Sequence, residues 1–365
     1  MEKANSVLVA LSGGVDSSIA AFLLKEKGFE VAGIYFHLID KEQYPKSLNS
    51  NQHDYFNNEE RVQIIAQKLN IPLYKVDYRE DFRKIIILDF VEQYQKGLTP
   101  NPCVYCNEKV KFKLLLKYAL KNKIESIATG HYAKVELDRK QNKYLLKRGG
   151  DRKKEQSYFL YRLSESILAQ CIFPLGNLSK KDTEKIAQEI GLTDYILKES
   201  QEICFIPGND YRHLIAHVGK IKNQAGYFLD SKGNILGKHK GIAYYTIGQR
   251  RKIGLSLNSR KYILKINPQD NTVVIGDEME LYRQEFEVTE VNYIYSNPIL
   301  RPTKLLVQIR YNTPADWAMV YPNGEKELRM IFDKPQRAIT PGQSAVFYDQ
   351  DIVLGGGIIK PFLIQ

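Results

Sequence analysis

Val7-Leu8-Val9-Ala10-Leu11-Ser12-Gly13-Gly14-Val15-Asp16-Ser17-Ser18 decides how the first half of this chain folds. The five apolar residues carry no polar alternation, as a strand buried on both faces of a parallel sheet requires. They enter a Gly-Gly turn, and residues 17–27 then read as a helix stopped by Gly28. The two glycines let the backbone turn tightly and approach a ligand without Cβ interference. Free N–H groups at the helix start, with the positive end of its dipole, make an anion site there. Ser12, Ser17 and Ser18 add hydroxyl donors, and Asp16 suits a magnesium ion bridging phosphates. No Gly-Lys-Ser/Thr follows, so this is not a Walker loop. A merely capped helix would need neither both glycines nor three hydroxyls.

Working outward, residues 31–36 read as a second strand, 59–69 as a helix, 73–76 as a strand and 81–94 as a helix. Residues 40–58 are polar and without period, and read as a flexible insertion. After a loop at 99–107, residues 109–121 read as a helix and 126–129 as a strand. Strands and helices alternating at this spacing predict a doubly wound parallel sheet. Near residue 213 the pattern changes. Segments 226–229, 242–246, 262–266 and 272–275, and the tail 285–364, are short strand patterns separated by Gly, Asn, Asp and Lys turns. The expectation is α/β: a nucleotide-binding domain over 1–212, then two small β-rich, barrel-like domains over 213–280 and 281–365.

The second candidate site is Thr99-Pro100-Asn101-Pro102-Cys103-Val104-Tyr105-Cys106-Asn107, a segment stiffened by its prolines. The helix that follows, with Lys109, is expected to lower the pKa of a nearby thiol. Cys204 lies far off in Ser200-Gln201-Glu202-Ile203-Cys204-Phe205-Ile206-Pro207-Gly208. A structural zinc takes four ligands, and here one Cys pair and a lone Cys are available, so no metal site is expected from the residues alone. Cys171, in an apolar stretch read as helical, is a buried small hydrophobe. Four cysteines in a chain of 365 residues are too few for a disulfide scaffold.

That length calls for two or three domains. A hydrophobic share of 43% and a charged share of 26% are those of an ordinary globular protein. No run of eighteen apolar residues exists and the first residues lack the apolar stretch of a secretory signal, so no membrane partner and a cytoplasmic location are expected. The net charge of +11 favours a polyanionic partner, and the basic residues cluster. Between Asp230 and Asp270 there is no acidic residue, yet Lys232, Lys238, Lys240, Arg250, Arg251, Lys252, Arg260, Lys261 and Lys265 occur, interleaved with Tyr244 and Tyr245. Residues 134–154 form a second basic region. Basic surface with aromatics suits a structured RNA read by phosphate contacts and stacking.

The Ser12–Ser18 string resembles the pyrophosphate loop of the ATP pyrophosphatases. Together with residues 99–107, Ala128-Thr129-Gly130-His131-Tyr132, Gln156-Ser157-Tyr158-Phe159-Leu160-Tyr161, the Cys204 segment, Thr246-Ile247-Gly248-Gln249-Arg250, Thr340-Pro341-Gly342-Gln343-Ser344-Ala345 and Leu354-Gly355-Gly356-Gly357, it closely resembles the bacterial and organellar tRNA-specific 2-thiouridylases. The resemblance implies adenylation by ATP with magnesium of O2 on the wobble uridine of tRNA, then sulfur delivery to C2 from a persulfide. It implies that Ala10, Leu11, Ser12, Gly13, Gly14, Val15, Asp16 and Ser17 cradle ATP, with Phe36 and Gly130 on the adenosine side. Asn101, Pro102 and Cys103 would face the target base, which must leave the anticodon stack to be reached. His131, Lys154, Glu155, Gln156, Arg310, Tyr311 and Gln343 fall where the family touches tRNA. Cys204 matches the persulfide carrier and Cys106 the cysteine that resolves it as a disulfide, with a sulfur-relay protein or a cysteine desulfurase as donor. The common family pattern has aspartate where this chain has Cys103, which adds a third thiol. A second chemistry is therefore open, in which Cys103, Cys106 and Cys204 bind an iron–sulfur cluster with one iron left open; the persulfide route is favoured. Competing readings are an amide- or amino-forming ligase of the same superfamily, which needs no paired thiols, and a non-catalytic RNA- or metal-binding protein with a degenerate ATP site.

Overall fold

The structure, a computed structural model, describes residues 5–39, 58–193, 203–206, 210–218, 224–256, 259–294 and 297–362. The stretch expected as an insertion at 40–58 lies outside the described residues except for Asn58. The chain divides into two compact units. One comprises Met1–Ile86, Cys103–Asn209 and Gln350–Leu354; the other comprises Ile87–Pro102, Asp210–Asp349 and Gly355–Gln365.

The first unit is built on β1 (Ser6–Ala10), β2 (Glu30–His37), β3 (Leu73–Asp77), β4 (Ser126–Ala128) and β7 (Cys171–Ile172), all parallel in the order β3-β2-β1-β4-β7. Val7, Leu8 and Val9 are wholly buried, which is why β1 reads as an unbroken apolar run. Helices α1 (Val15–Glu26), α2 (Asn58–Lys68), α3 (Phe112–Lys121) and α4 (Lys180–Glu189) accompany the sheet. Leu24 of α1 joins Val62 and Ile65 of α2 against Val7 and Val9, while Ile19 and Ala20 pack with Tyr132, Leu175 and Ala187. Each such large side chain contributes roughly 2 kcal/mol relative to exposure. A hairpin of β5 (Ala133–Asp138) and β6 (Lys143–Arg148) occupies part of the basic region expected at 134–154.

Before residue 173, three local expectations differ. Residues 99–107 are not a plain loop: Pro102–Cys106 is a helical turn that runs through a π-helical turn, Asn107–Lys111, into α3. Pro102 sits at the first helical position, where its missing N–H has no role and its fixed φ suits the helix. The helix expected at 81–94 is likewise interrupted by a π turn, Arg83–Ile87. Cys171 is buried as expected, but in strand β7, paired with Ile127, rather than in a helix.

The second unit holds a four-stranded sheet of β8 (Gly226–Leu229), β9 (Ile235–His239), β10 (Tyr262–Asn267) and β11 (Thr272–Gly276), in the order β10-β11-β8-β9. Residues 242–246, expected as a strand, instead contain the 3-10 turn Ile242–Tyr244. Tyr245 is buried in this sheet's core with Phe228 and Ile263, and Tyr244 packs against it, so neither is the free stacking aromatic that the interleaving suggested. Strands β12 (Tyr282–Tyr293), β13 (Thr303–Gln308), β14 (Asp316–Pro322), β15 (Leu328–Arg337), β16 (Ser344–Asp349) and β17 (Ile352–Ile359) follow the order β12-β15-β14-β13-β16-β17, and β12 pairs β17 to close a barrel. Closure leaves no unpaired strand edge. The α/β fold followed by β-rich modules is thus the one expected. Among the described residues no helix is long and apolar enough to cross a membrane.

Candidate active site

Strand order reverses between β1 and β4, and in open parallel sheets that crevice, at the carboxyl ends of the strands, is where ligands bind. Here β1 feeds the glycine turn and β4 feeds Thr129-Gly130-His131. A cavity of about 320 Å³ opens at this point, large enough for a small organic ligand. Ala10, Leu11, Ser12, Asp16, Ser17, Phe36, Gly130, His131, Gln156 and Cys204 line it, which brings together much of the expected ATP site with one thiol. Gly13, Gly14 and Val15 lie in the turn but do not line the cavity. Tyr35, His37, Leu38, Ile39, Asn58, Lys111 and Thr129 also line it and were not foreseen. Gly130 is required by close approach, since a Cβ there would stand 2.5 Å from the Asp16 carbonyl carbon.

In the glycine turn the hydroxyls are engaged locally. The Ser17 and Ser18 hydroxyls donate to the Gly14 carbonyl at 3.1 and 2.9 Å, and the Ser12 N–H donates to the Ser17 oxygen at 3.2 Å. Asp16 is held from outside the turn. Lys180 Nζ donates to its Oδ1 at 2.7 Å and the Tyr132 hydroxyl donates to the same oxygen at 2.8 Å, while Thr183 Oγ1 lies 2.8 Å from that hydroxyl. Lys180 reaches it from the first turn of α4, whose start is fixed by a capping box between Ser179 and Asp182.

Cys103 and Cys106 are half-buried in their helical turn and Cys204 is exposed at the cavity wall. Burial pushes the Cys103 thiol up to about 11, with Cys106 adding to the effect and Lys111 opposing it. Burial also raises Cys106, against the Lys111 ammonium and backbone N–H. Although Cys204 is open to the cavity, the protein crowded round it withholds water and raises its thiol, and the two other cysteines act in the same sense. The expectation of a lowered thiol pKa is thus corrected, because desolvation outweighs the opposing Lys111 charge and backbone N–H groups. Lys109 does not serve these thiols: its ammonium lies 4.7 Å over the Tyr105 ring. His131, paired at 2.7 Å with Thr129 Oγ1 and stacked on Phe112, is held neutral by burial and by Lys111, well below the usual histidine range.

Residues 5–208 match the family described as tRNA methyl transferase HUP domain, 214–277 the tRNA methyl transferase PRC-barrel domain, and 283–359 the aminomethyltransferase beta-barrel domain. The tRNA-specific 2-thiouridylase MnmA of Acetivibrio thermocellus is 42% identical over 97% of this chain and 99% of its own length. The chain belongs to the tRNA-specific 2-thiouridylase family. The family's MnmA of Clostridioides difficile is 40% identical over 98% of both chains. A solved 4-thiouridine synthetase–RNA complex with bound ATP is similar at 18% identity and a TM-score of 0.37, over 56% of this chain and 46% of that one, too slight to bear on the fold. The domain descriptions speak of methyl transfer, but the full-length relatives, which span all three segments, carry the thiouridylase name.

Against the family's implied sulfur chemistry, all four cysteines are free thiols. No disulfide joins Cys106 to Cys204 here, and Cys106 acts electrostatically on the Cys204 thiol. The iron–sulfur alternative does not fit this donor set: among the described residues no three His, Cys, Asp or Glu side chains are grouped to hold a metal ion. A magnesium ion fits better. Among the described residues both hydrogen bonds from other side chains to Asp16 end on Oδ1, so Oδ2 is the oxygen that would hold a cation.

The other residues expected from the family fall into distinct settings. Glu155 is buried, its carboxylate accepting from the Ser157 N–H and hydroxyl at 3.0 and 2.6 Å. Lys154 is half-buried beside it, and Gln156 Oε1 accepts from the Tyr132 N–H at 3.1 Å. In the second unit, Asn101 and Pro102 are buried. Arg310 reaches the Ala338 carbonyl and Thr340 Oγ1 at 2.9 and 2.6 Å, and Gln308 holds the Arg310 and Tyr311 carbonyls. Gln343 Nε2 donates to the Thr99 and Pro100 carbonyls at 2.8 and 3.2 Å, and the Thr99 N–H donates to the Pro341 carbonyl at 2.9 Å. Gly342, at φ +89, leaves room for this: a Cβ there would meet the Thr99 nitrogen at 2.9 Å. The 340–343 turn is thus a clamp on the start of the cysteine segment. In Gln343→Ala we expect thiolation turnover about tenfold lower at unchanged tRNA affinity, since small misplacements of reacting groups are expensive. Weaker tRNA binding with wild-type turnover at saturation would make Gln343 a tRNA contact instead.

Proposed function

We propose that this chain is an ATP-dependent tRNA-uridine 2-sulfurtransferase that converts the wobble uridine of tRNA to 2-thiouridine. The observation that carries the reading is that the phosphate loop and Cys204 line one cavity. A uracil C2 carbonyl has no leaving group, so its oxygen must first be activated. Uridine O2, with loss of the N3 proton, attacks the α-phosphorus of ATP, and the bond to pyrophosphate breaks. The turn around Ser12–Ser17 binds the phosphates through helix-end N–H groups and hydroxyls, while Phe36 and Gly130 serve the adenosine side. Magnesium, when bound with ATP at Asp16, neutralises charge on the departing pyrophosphate; Lys180 and Tyr132 keep the carboxylate oriented.

The terminal sulfur of a Cys204 persulfide then attacks C2, and the C2–O bond breaks with loss of AMP. Cys106 attacks the Cys204 sulfur, forming a Cys106–Cys204 disulfide and releasing 2-thiouridine, and a cellular thiol reductant restores the reduced pair. Sulfur reaches Cys204 from a sulfur-relay protein or a cysteine desulfurase. His131, Lys154, Gln156, Arg310 and Tyr311 are proposed to meet tRNA, with Asn101, Pro102 and Cys103 toward the target base, on a chain divided at about 212 and 280. An amide-forming ligase of the same superfamily would have no use for thiols beside its phosphate loop.

The test couples two assays: pyrophosphate release from ATP with and without tRNA, and nucleoside mass spectrometry of that tRNA after supply of a persulfide donor. We expect tRNA to accelerate release and 2-thiouridine to appear only with the sulfur donor. Release indifferent to tRNA would sink the reading. Replacing Arg250, Arg251 and Lys252, all exposed, should weaken tRNA binding and flatten its salt dependence by about one log–log unit per lost phosphate contact.

A further inference from the structure

Lys111 lines the same cavity as Ser12, Ser17 and Cys204. It closes the π-helical turn Asn107–Lys111, which follows directly on Cys106. Such turns carry one residue more than an α-helical turn and recur at functional sites. The Lys111 backbone N–H points at Cys106, and its ammonium acts on Cys103, Cys106, Cys204 and His131 together. Neighbouring cations are engaged elsewhere: Lys109 lies over Tyr105, and Arg162 is paired with Glu108 at 2.6 Å. Among the described residues no ion pair or hydrogen bond involves the Lys111 ammonium, although the side chain is half-buried. A half-buried cation without a carboxylate, set among thiols, has its electrostatic complement in an anion that arrives during the reaction.

We propose that Lys111 is a catalytic residue whose ammonium holds the anionic sulfur of Cys204, first as the thiolate that receives sulfur and then as the persulfide that delivers it. This rests on the thiolation reading above. The surroundings of Cys204 otherwise oppose charge, since the protein round it and the two other cysteines all favour the neutral thiol. Only an anionic sulfur is an effective nucleophile, and Lys111 is the cation acting the other way at each of the three thiols. The phosphates of ATP have the helix-end N–H groups of α1 for their charge, so they do not require Lys111.

Alkylation of the full-length chain by iodoacetamide, without ATP or tRNA, tests this through peptide-mapped rates at Cys204. Lys111→Met should slow labelling of Cys204 about tenfold, the change in thiolate fraction for one unit of pKa. Lys111→Arg should restore most of the rate, which a purely structural role would not require. Should Lys111→Met fail to fold by circular dichroism, Lys111→Gln, which keeps a polar head, makes the same comparison. Labelling at the wild-type rate in the neutral variant overturns the proposal. So does weakened ATP binding with unchanged labelling, which would make Lys111 a phosphate ligand. Because the assay needs no tRNA, its outcome is separate from whether the chain thiolates uridine.

Discussion

Cys204→Ser is expected to leave a chain that still releases pyrophosphate from ATP when tRNA is present but forms no 2-thiouridine. The hydroxyl keeps the size and exposure of the side chain, so the cavity and its phosphate turn remain as they are. What disappears is an atom able to carry a second sulfur. Loss of a covalent nucleophile costs about four orders of magnitude or more, which places the product below detection by nucleoside mass spectrometry. Because activation precedes sulfur transfer, adenylated tRNA should accumulate in this variant and be trapped by rapid quenching. Appreciable 2-thiouridine from Cys204→Ser would mean that sulfur arrives by way of Cys103 or Cys106, and the assignment of the carrier would fall.

The second large effect is expected from Asp16→Ala, on two separable quantities. Activation should be lost, because the carboxylate left for magnesium is gone, whereas tRNA affinity should hold, since it rests on phosphate contacts elsewhere. Stability should fall as well. Lys180 and Asp16 side chains are 11% and 26% exposed, and removing the carboxylate strands the Lys180 ammonium, while the Tyr132 hydroxyl keeps Thr183 Oγ1 at 2.8 Å. Breaking a wholly buried pair costs 3–5 kcal/mol; with this much solvent present about 2 kcal/mol is expected. Denaturant unfolding of Asp16→Ala, Lys180→Met and the double variant measures it. If the double variant is no more stable than Asp16→Ala alone, the stranded ammonium is not the cause. Wild-type pyrophosphate release from Asp16→Ala would remove Asp16 from the site altogether.

The phosphate turn and the parallel sheet were legible because their signals are local: an unbroken apolar run, two glycines and three hydroxyls within twelve residues. The β-rich second half was legible for the same reason, as short runs between turn residues. Lys180 was invisible in sequence because it meets Asp16 from 164 positions away, and no spacing rule reaches that far. The helical turn at Pro102–Cys106 was misread because proline stops a helix in its interior yet starts one at its first position. Lys111 was passed over for Lys109, since a regular helix gives no reason to prefer it; the π turn that ends at Lys111 has no sequence signature. Tyr244 and Tyr245 show the opposite error, in which proximity to lysines outweighed the fact that a tyrosine ring packs into a core as readily as it meets solvent.

The clamp of Gln343 on Thr99 has a consequence for how the protein is made. Its partners are 244 residues apart, and the barrel strand just after Gln343 is completed only when β17 closes against β12. A chain leaving the ribosome exposes the cysteine segment early, and domains form in the order of synthesis. The segment's entry is therefore fixed last, after nearly the whole polypeptide has emerged. Synthesis itself then acts as a timer: a prematurely terminated chain can bury its parallel sheet and still present an unset cysteine segment.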